Sequence, residues 1–130
     1  MPEPTDLPPD SIDYIRLDDA LQAVAMLGQT VRDAGLLNGA LVRPQTFAFE
    51  VEVYPTLHLK AGALCDSLNR SHPLIDGNKR LSWLLTALFY QRNGYTLLTD
   101  ADEGERFVLE VASGHVEVAD IAHWLELHVS

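Results

Sequence analysis

A single cysteine, Cys65, stands in the 130 residues, so no intrachain disulfide can form and a reducing compartment, the cytoplasm, is expected. Long apolar runs are missing as well. The longest uncharged apolar stretch, Leu81 to Gln91, covers about half of the roughly 20 residues a membrane span needs. The N-terminus, Met1 to Asp10, is acidic and rich in proline, without the basic and then apolar pattern of a signal peptide. Basic residues are scarce: 9 Lys and Arg face 19 Asp and Glu, a formal net charge of -10. That balance argues against direct nucleic-acid binding, which needs an excess of cations to neutralise phosphate. A Walker-type glycine loop, a G-x-S-x-G elbow and paired cysteines for zinc are all absent. What remains is ordinary. Hydrophobic residues make up 47% and charged residues 22%, the composition of a soluble globular chain with room for one domain.

The charge is unevenly placed. Between Lys60 and Arg92 five bases (Lys60, Arg70, Lys79, Arg80, Arg92) meet two acids (Asp66, Asp76), a net of +3 that leaves -13 for the rest of the chain. A positive island in an acidic chain points to an anionic ligand bound at one place rather than along a surface. Chance clustering on solvated helix faces gives the same count.

Residues 1–12 hold Pro2, Pro4, Pro8 and Pro9 and read as a flexible lead-in, which leaves 13–130 as the domain. Leu17, Leu21, Val24, Ala25 and Leu27 form an approximate helical stripe ended by Gly28. Asp33 is placed to cap a short helix through Leu36, Leu37, Ala40 and Leu41, stopped before Pro44. Phe47 to Val53 alternates with period two and predicts a short strand or extended flap. Thr56 can cap a helix with Leu57, Ala61, Leu64 and Leu68 on one face, and Cys65 at its edge reads as a small buried thiol. The next helix, about Gly77 to Asn93 and closed by Gly94, is apolar all round, which predicts a place in the middle of a bundle. Helices over about Asp102 to Ser113 and Val118 to His128 complete an all-α domain of about six helices. Trp83 and Tyr90 read as core. His58 and His115 read as surface or capping histidines, and His123, Glu126 and His128 as solvent-facing residues without metal-ligand spacing.

The chemistry concentrates in His72-Pro73-Leu74-Ile75-Asp76-Gly77-Asn78-Lys79-Arg80. Pro73 keeps His72 out of the helical region, so the imidazole sits on a loop above the next helix. Gly77 to Arg80 opens that helix, where the first backbone N–H groups lack intrahelical partners and favour an anion. Lys79 adds a point charge and Arg80 a planar fork suited to phosphate. Asp76 is placed to hold a hard cation such as Mg²⁺ against phosphate oxygens. Each residue also has a plain reading: a loop histidine, an ordinary N-cap, a turn, a solvated first turn. Bases at a helix N-terminus oppose the dipole, however, and cost stability unless an anion is present.

This nine-residue run resembles the signature of the Fic superfamily, H-P-F-x-(D/E)-G-N-(G/K)-R, and lysine at the eighth place, Lys79, is the form typical of Doc (death-on-curing) toxins. Val31 to Leu37, Tyr54-Pro55-Thr56-Leu57, Lys60-Ala61, Asn93-Gly94-Tyr95 and the Gly114 turn are similar to segments of Doc-like proteins. The resemblance implies a Fic/Doc fold, all-α, with about six helices around a central helix and a short extended flap at Phe47 to Tyr54. It implies that His72 is the general base, that Asp76 holds Mg²⁺, and that Gly77, Asn78, Lys79 and Arg80 bind the phosphates of ATP. Most Fic proteins transfer AMP. Doc toxins bind ATP reversed and transfer its γ-phosphate, a change associated with lysine in place of the motif's second glycine. A toxin kinase is therefore implied, acting on a threonine of elongation factor Tu and blocking translation. AMP transfer, or a catalytically weak antitoxin-binding module, are the alternatives. The implied partner is a Phd-like antitoxin. Two positions depart from the pattern. Leu74 replaces the signature Phe, which predicts a loop held less tightly, and Gly77 stands where the best-known Doc form has alanine.

Overall fold

A computed structural model describes residues 11–130. The expected lead-in therefore lies, up to position 10, outside the described residues, and Ile12 and Ile15 are already buried in the core. In chain order come α1 (Leu17–Met26), α2 (Ala34–Val42), a 3-10 turn (Arg43–Gln45), β1 (Phe47–Ala48), β2 (Val51–Glu52), α3 (Leu57–Ser71), α4 (Asn78–Arg92), α5 (Ala101–Ser113) and α6 (Val118–Leu127).

Short polar side chains start three of the six helices. Asp33 accepts from the Leu36 N–H at 3.0 Å, Thr56 from Leu59 at 3.1 Å and Asp100 from Glu103 at 2.8 Å. Each satisfies one of the donors a helix start leaves open. α1 buries Ala20, Ala23 and Val24, a narrower face than the sequence stripe, and leaves Leu21 exposed.

α3 is the most enclosed element, packed on α2, α4, α5 and α6. Gly62 makes this possible: a Cβ there would meet the Val118 carbonyl of α6 at 3.1 Å. α4 shares the middle of the bundle as expected, turning Leu81, Leu85, Phe89 and Tyr90 inward. Polar residues of α3 are buried with partners. Lys60 Nζ donates to Glu52 Oε1 at 2.7 Å, and the Asn69 amide donates to the Cys65 carbonyl at 2.9 Å. His58 Nδ1 lies 2.7 Å from the Tyr90 hydroxyl, so His58 is a core residue and not the surface or capping histidine expected. Cys65 is buried as expected, and that burial pushes its thiol up to about 12.

The flap is a hairpin where the sequence predicts one extended stretch. Phe47 pairs with Glu52 and Ala48 with Val51. Phe49 and Glu50 turn the chain with φ of 53° and 67°, the left-handed pair that matches strand twist in a tight hairpin. Phe47, Phe49 and Val51 are exposed, while Glu52 is tied to α3 through Lys60.

At the other end, Thr96 and Ser130 exchange two backbone hydrogen bonds of 3.0 Å. Leu97 forms an isolated antiparallel bridge with Val129 beside them, which fixes the segment ahead of α5. Trp83 meets Phe107 and Trp124 edge-on, and Phe107 stacks on Trp124 with centroids 3.8 Å apart. His128 stacks on Trp124 and sits 2.7 Å from Glu103, so it faces the interior rather than solvent. Among the described residues no cluster of His, Cys, Asp and Glu could hold a metal ion by itself, and no helix is long and apolar enough to cross a membrane.

Candidate active site

The loop between α3 and α4 begins with an unusual residue. His72 caps α3 at φ 48° and ψ 57°, a left-handed conformation that glycine normally occupies at a helix end. Holding a residue with a β-carbon there costs on the order of 1–3 kcal/mol. The imidazole is exposed, which the strained turn achieves by lifting it off the end of α3.

The loop is strapped from outside. The Arg32 and Asp33 N–H groups both donate to the Pro73 carbonyl, at 2.8 and 3.1 Å, and Ile75 N–H donates to the Thr30 carbonyl at 3.1 Å. Val31 and Leu74 form an antiparallel bridge between them. The Arg32 guanidinium reaches further back, donating from Nε and Nη2 to the His72 carbonyl at 3.0 and 2.6 Å and from Nη2 to the Ser71 carbonyl at 3.1 Å. Leu74 is buried. Its backbone N–H and carbonyl are both bonded by the Asn78 side-chain amide, at 2.9 and 3.1 Å. Leucine in place of phenylalanine therefore leaves the loop anchored, because hydrogen bonds from Thr30 to Asp33 and from Asn78 hold it as well as side-chain volume does. Those bonds also occupy the Asn78 side chain, so what Asn78 has left for an anion is its backbone N–H.

Gly77 is the N-cap of α4 at φ 88°, with no side-chain cap. Asp76 Oδ1 accepts from the Gly77 N–H at 2.8 Å, an Asx-type contact that orients the exposed carboxylate. A Cβ on Gly77 would meet Gln29 Cγ at 2.8 Å; this residue is glycine for two separate reasons. The first turn of α4 carries no acid, and Lys79 and Arg80 are exposed in it.

The positive island of the sequence contracts here. Lys60 is paired with Glu52, Arg70 with Asp66 and Arg92 with Asp19. Among the described residues Lys79 and Arg80 have no carboxylate within ion-pair distance, which leaves two cations at one helix N-terminus. The dipole and the open N–H groups add to their field.

His72, Asp76, Gly77, Asn78, Lys79 and Arg80 line one cleft of about 940 Å³, within the range of small-molecule sites. The sequence motif supplies one wall. Gln29 from the turn after α1 and Trp83 from α4 extend it, and Leu97, Thr99, Gly104 and Val108 form the other side. Trp83 is thus core on one edge and cleft wall on the other. A Cβ on Gly104 would stand 3.0 Å from Thr99 and 3.4 Å from Trp83, so glycine keeps this wall open. The cationic helix start suits a phosphate end, while the facing side, which also carries Asp100 and Glu105, is of mixed character and meets the rest of the ligand. Asp76 offers one exposed carboxylate, enough for Mg²⁺ only when phosphate oxygens complete its shell.

A model of the Fic/DOC family matches residues 10–90. The chain belongs to the Fic/DOC family. It is also 41% identical over 115 residues to Toxin Doc of Mycolicibacterium smegmatis (strain ATCC 700084 / mc(2)155), an alignment covering 85% of this chain and 88% of that one. The mostly helical fold with one small hairpin agrees with the Fic/DOC architecture. The family match contains the strap, the loop and nearly all of α4, whereas Leu97 to Val108 on the facing wall lie beyond it. Sequence reading missed Gln29, Arg32 and that facing wall. Gln29 and Arg32 carry no local signal, since their partners are about 40 positions away.

Proposed function

We propose that this Fic/DOC protein is a Doc-like toxin that transfers the γ-phosphate of ATP to a hydroxyl of a protein target, a threonine of elongation factor Tu, and so blocks translation in the cytoplasm. The observation that carries the reading is the pair Lys79 and Arg80 at the open N-terminus of α4, in one cleft with His72. The likeness to Toxin Doc supports it.

His72 takes the proton of the target hydroxyl, a role typically worth about 10²–10⁴ in rate. The freed oxygen bonds to the γ-phosphorus while the bond to the bridging oxygen breaks, and ADP departs. Backbone N–H groups of Asn78, Lys79 and Arg80, which the Gly77 turn leaves open to the ligand, hold the phosphates with the Lys79 and Arg80 side chains and offset the charge that builds there. Bound Mg²⁺, with Asp76 as its protein ligand, would neutralise charge on the leaving diphosphate. The target segment adds to the hairpin edge beside exposed Phe47, Phe49 and Val51, main chain to main chain. A separate Phd-like antitoxin keeps the enzyme silent.

AMP transfer is the second reading, favoured by Gly77, the residue general to Fic proteins. The test incubates the protein with Mg²⁺ and elongation factor Tu, in parallel with α- and γ-labelled ATP, with His72→Ala as control. Label from γ-labelled ATP alone, lost in the variant, is the expected result. Label from α-labelled ATP would replace phosphate transfer by AMP transfer, and no label from either would refute the proposed reaction on this target.

A further inference from the structure

We propose that Arg32 is a positioning residue for the base: its guanidinium grips the main chain of His72 and sets the direction in which the imidazole enters the cleft. This rests on the reading of His72 as general base. Three observations carry it. The fork donates twice to the His72 carbonyl, at 3.0 and 2.6 Å, and once to the Ser71 carbonyl at 3.1 Å. Those carbonyls end α3, at the negative end of its dipole, where a planar cation with fixed donors fits. His72 itself stands at φ 48°, in a conformation that persists only when its surroundings over-determine it.

The geometry gives the grip a lever. A change of the His72 φ out of the left-handed region swings its Cα–Cβ bond and carries its carbonyl away from the guanidinium together, so releasing the carbonyl lets the ring leave its position. The backbone donors of Arg32 and Asp33 to the Pro73 carbonyl do not depend on the side chain. A substitution at exposed Arg32 therefore removes the clamp and leaves the strap. That separates positioning of the base from integrity of the loop.

The experiment uses the full chain with Arg32→Gln and Arg32→Lys. NMR reads the intraresidue Hα–HN NOE of His72, which is strong for a left-handed residue. Transfer from labelled ATP to elongation factor Tu gives kcat and KM. Arg32→Gln is expected to weaken the NOE and lower kcat on the order of 10–100-fold, with KM for ATP changed by less than about twofold, since the phosphate cradle is intact. Arg32→Lys, which keeps charge but not the fork, is expected between the two. A folded Arg32→Gln protein with unchanged NOE and unchanged kcat would overturn the proposal, as would a loss that falls on KM alone. If the unaltered protein transfers no label, the reaction assigned above fails, and the NOE alone decides whether Arg32 holds His72.

Discussion

Replacing Gly77 by alanine probes the start of α4 more finely than removing a charge does. Two costs are separable there. The first is conformational: at φ 88° a residue with a β-carbon is disfavoured by about 1–2 kcal/mol. The second is contact, because the new methyl would lie 2.8 Å from Gln29 Cγ and 3.1 Å from Cδ. Gln29 can yield only by leaving its rotamer, at about 0.5–1.5 kcal/mol. Gly77→Ala should then cost about 1.5–3.5 kcal/mol, and Gly77→Ala in a Gln29→Ala background only the conformational part, about 1–2 kcal/mol. Urea unfolding of the four proteins of this cycle, with midpoints read at a common slope, measures both. An equal cost in the two backgrounds would refute Gln29 as the obstacle. A neutral or stabilising Gly77→Ala would refute the left-handed turn itself. The cycle also bears on the departure at this position: a relative with alanine there needs a smaller neighbour where this chain has Gln29.

Lys60 and Glu52 test how the hairpin is held. Lys60→Met should cost about 3–5 kcal/mol, because it leaves Glu52 without its buried partner, and the double variant Lys60→Met/Glu52→Gln should recover most of that. If chemical denaturation finds the double variant no more stable than Lys60→Met, the pair is not the source. Acid stability has a defined contributor in Asp19. Hydrogen bonds from Arg92 to both its oxygens, at 2.7 Å, hold its carboxyl below the usual carboxylate range. The folded pKa is thus lower than the unfolded one, so the stabilisation is present above about pH 4 and is lost as pH falls through the folded value. Asp19→Asn should cost less than about 1 kcal/mol at pH 7 and progressively less in acid. An identical difference at pH 7 and pH 3 would contradict the assignment.

All six helices were legible in the sequence, because apolar spacing and cap residues such as Asp33 and Thr56 are local signals. The burial of α3 was not. His58, Lys60, Ser67 and Asn69 are inside, and their type argues for the outside until the partners on other elements are known. The hairpin was hidden for a different reason: its turn places Phe49 and Glu50 at positive φ, without the Asn-Gly or Asp-Gly pair that announces such a turn. At the site, His72 to Arg80 form a contiguous run and could be read together. The net of +3 was only a coarse guide, since neutralising partners for Lys60, Arg70 and Arg92 lie elsewhere in the chain. Arg32 and the wall from Leu97 to Val108 come to the loop through tertiary structure, which no spacing rule within the motif can report.

The strap also sets when in folding the protein becomes chemically competent. α3 and α4 are local structures that can form early, but the clamp on His72 joins positions 40 residues apart, and the Val31–Leu74 bridge spans a similar loop. Closing such a loop carries an entropy cost that neighbouring helical turns do not. A chain still emerging from the ribosome, or one partly unfolded, can carry the whole nine-residue motif as helix and loop while His72 remains free to wander. On the proposed role of His72 as base, competence arrives with tertiary closure rather than with secondary structure.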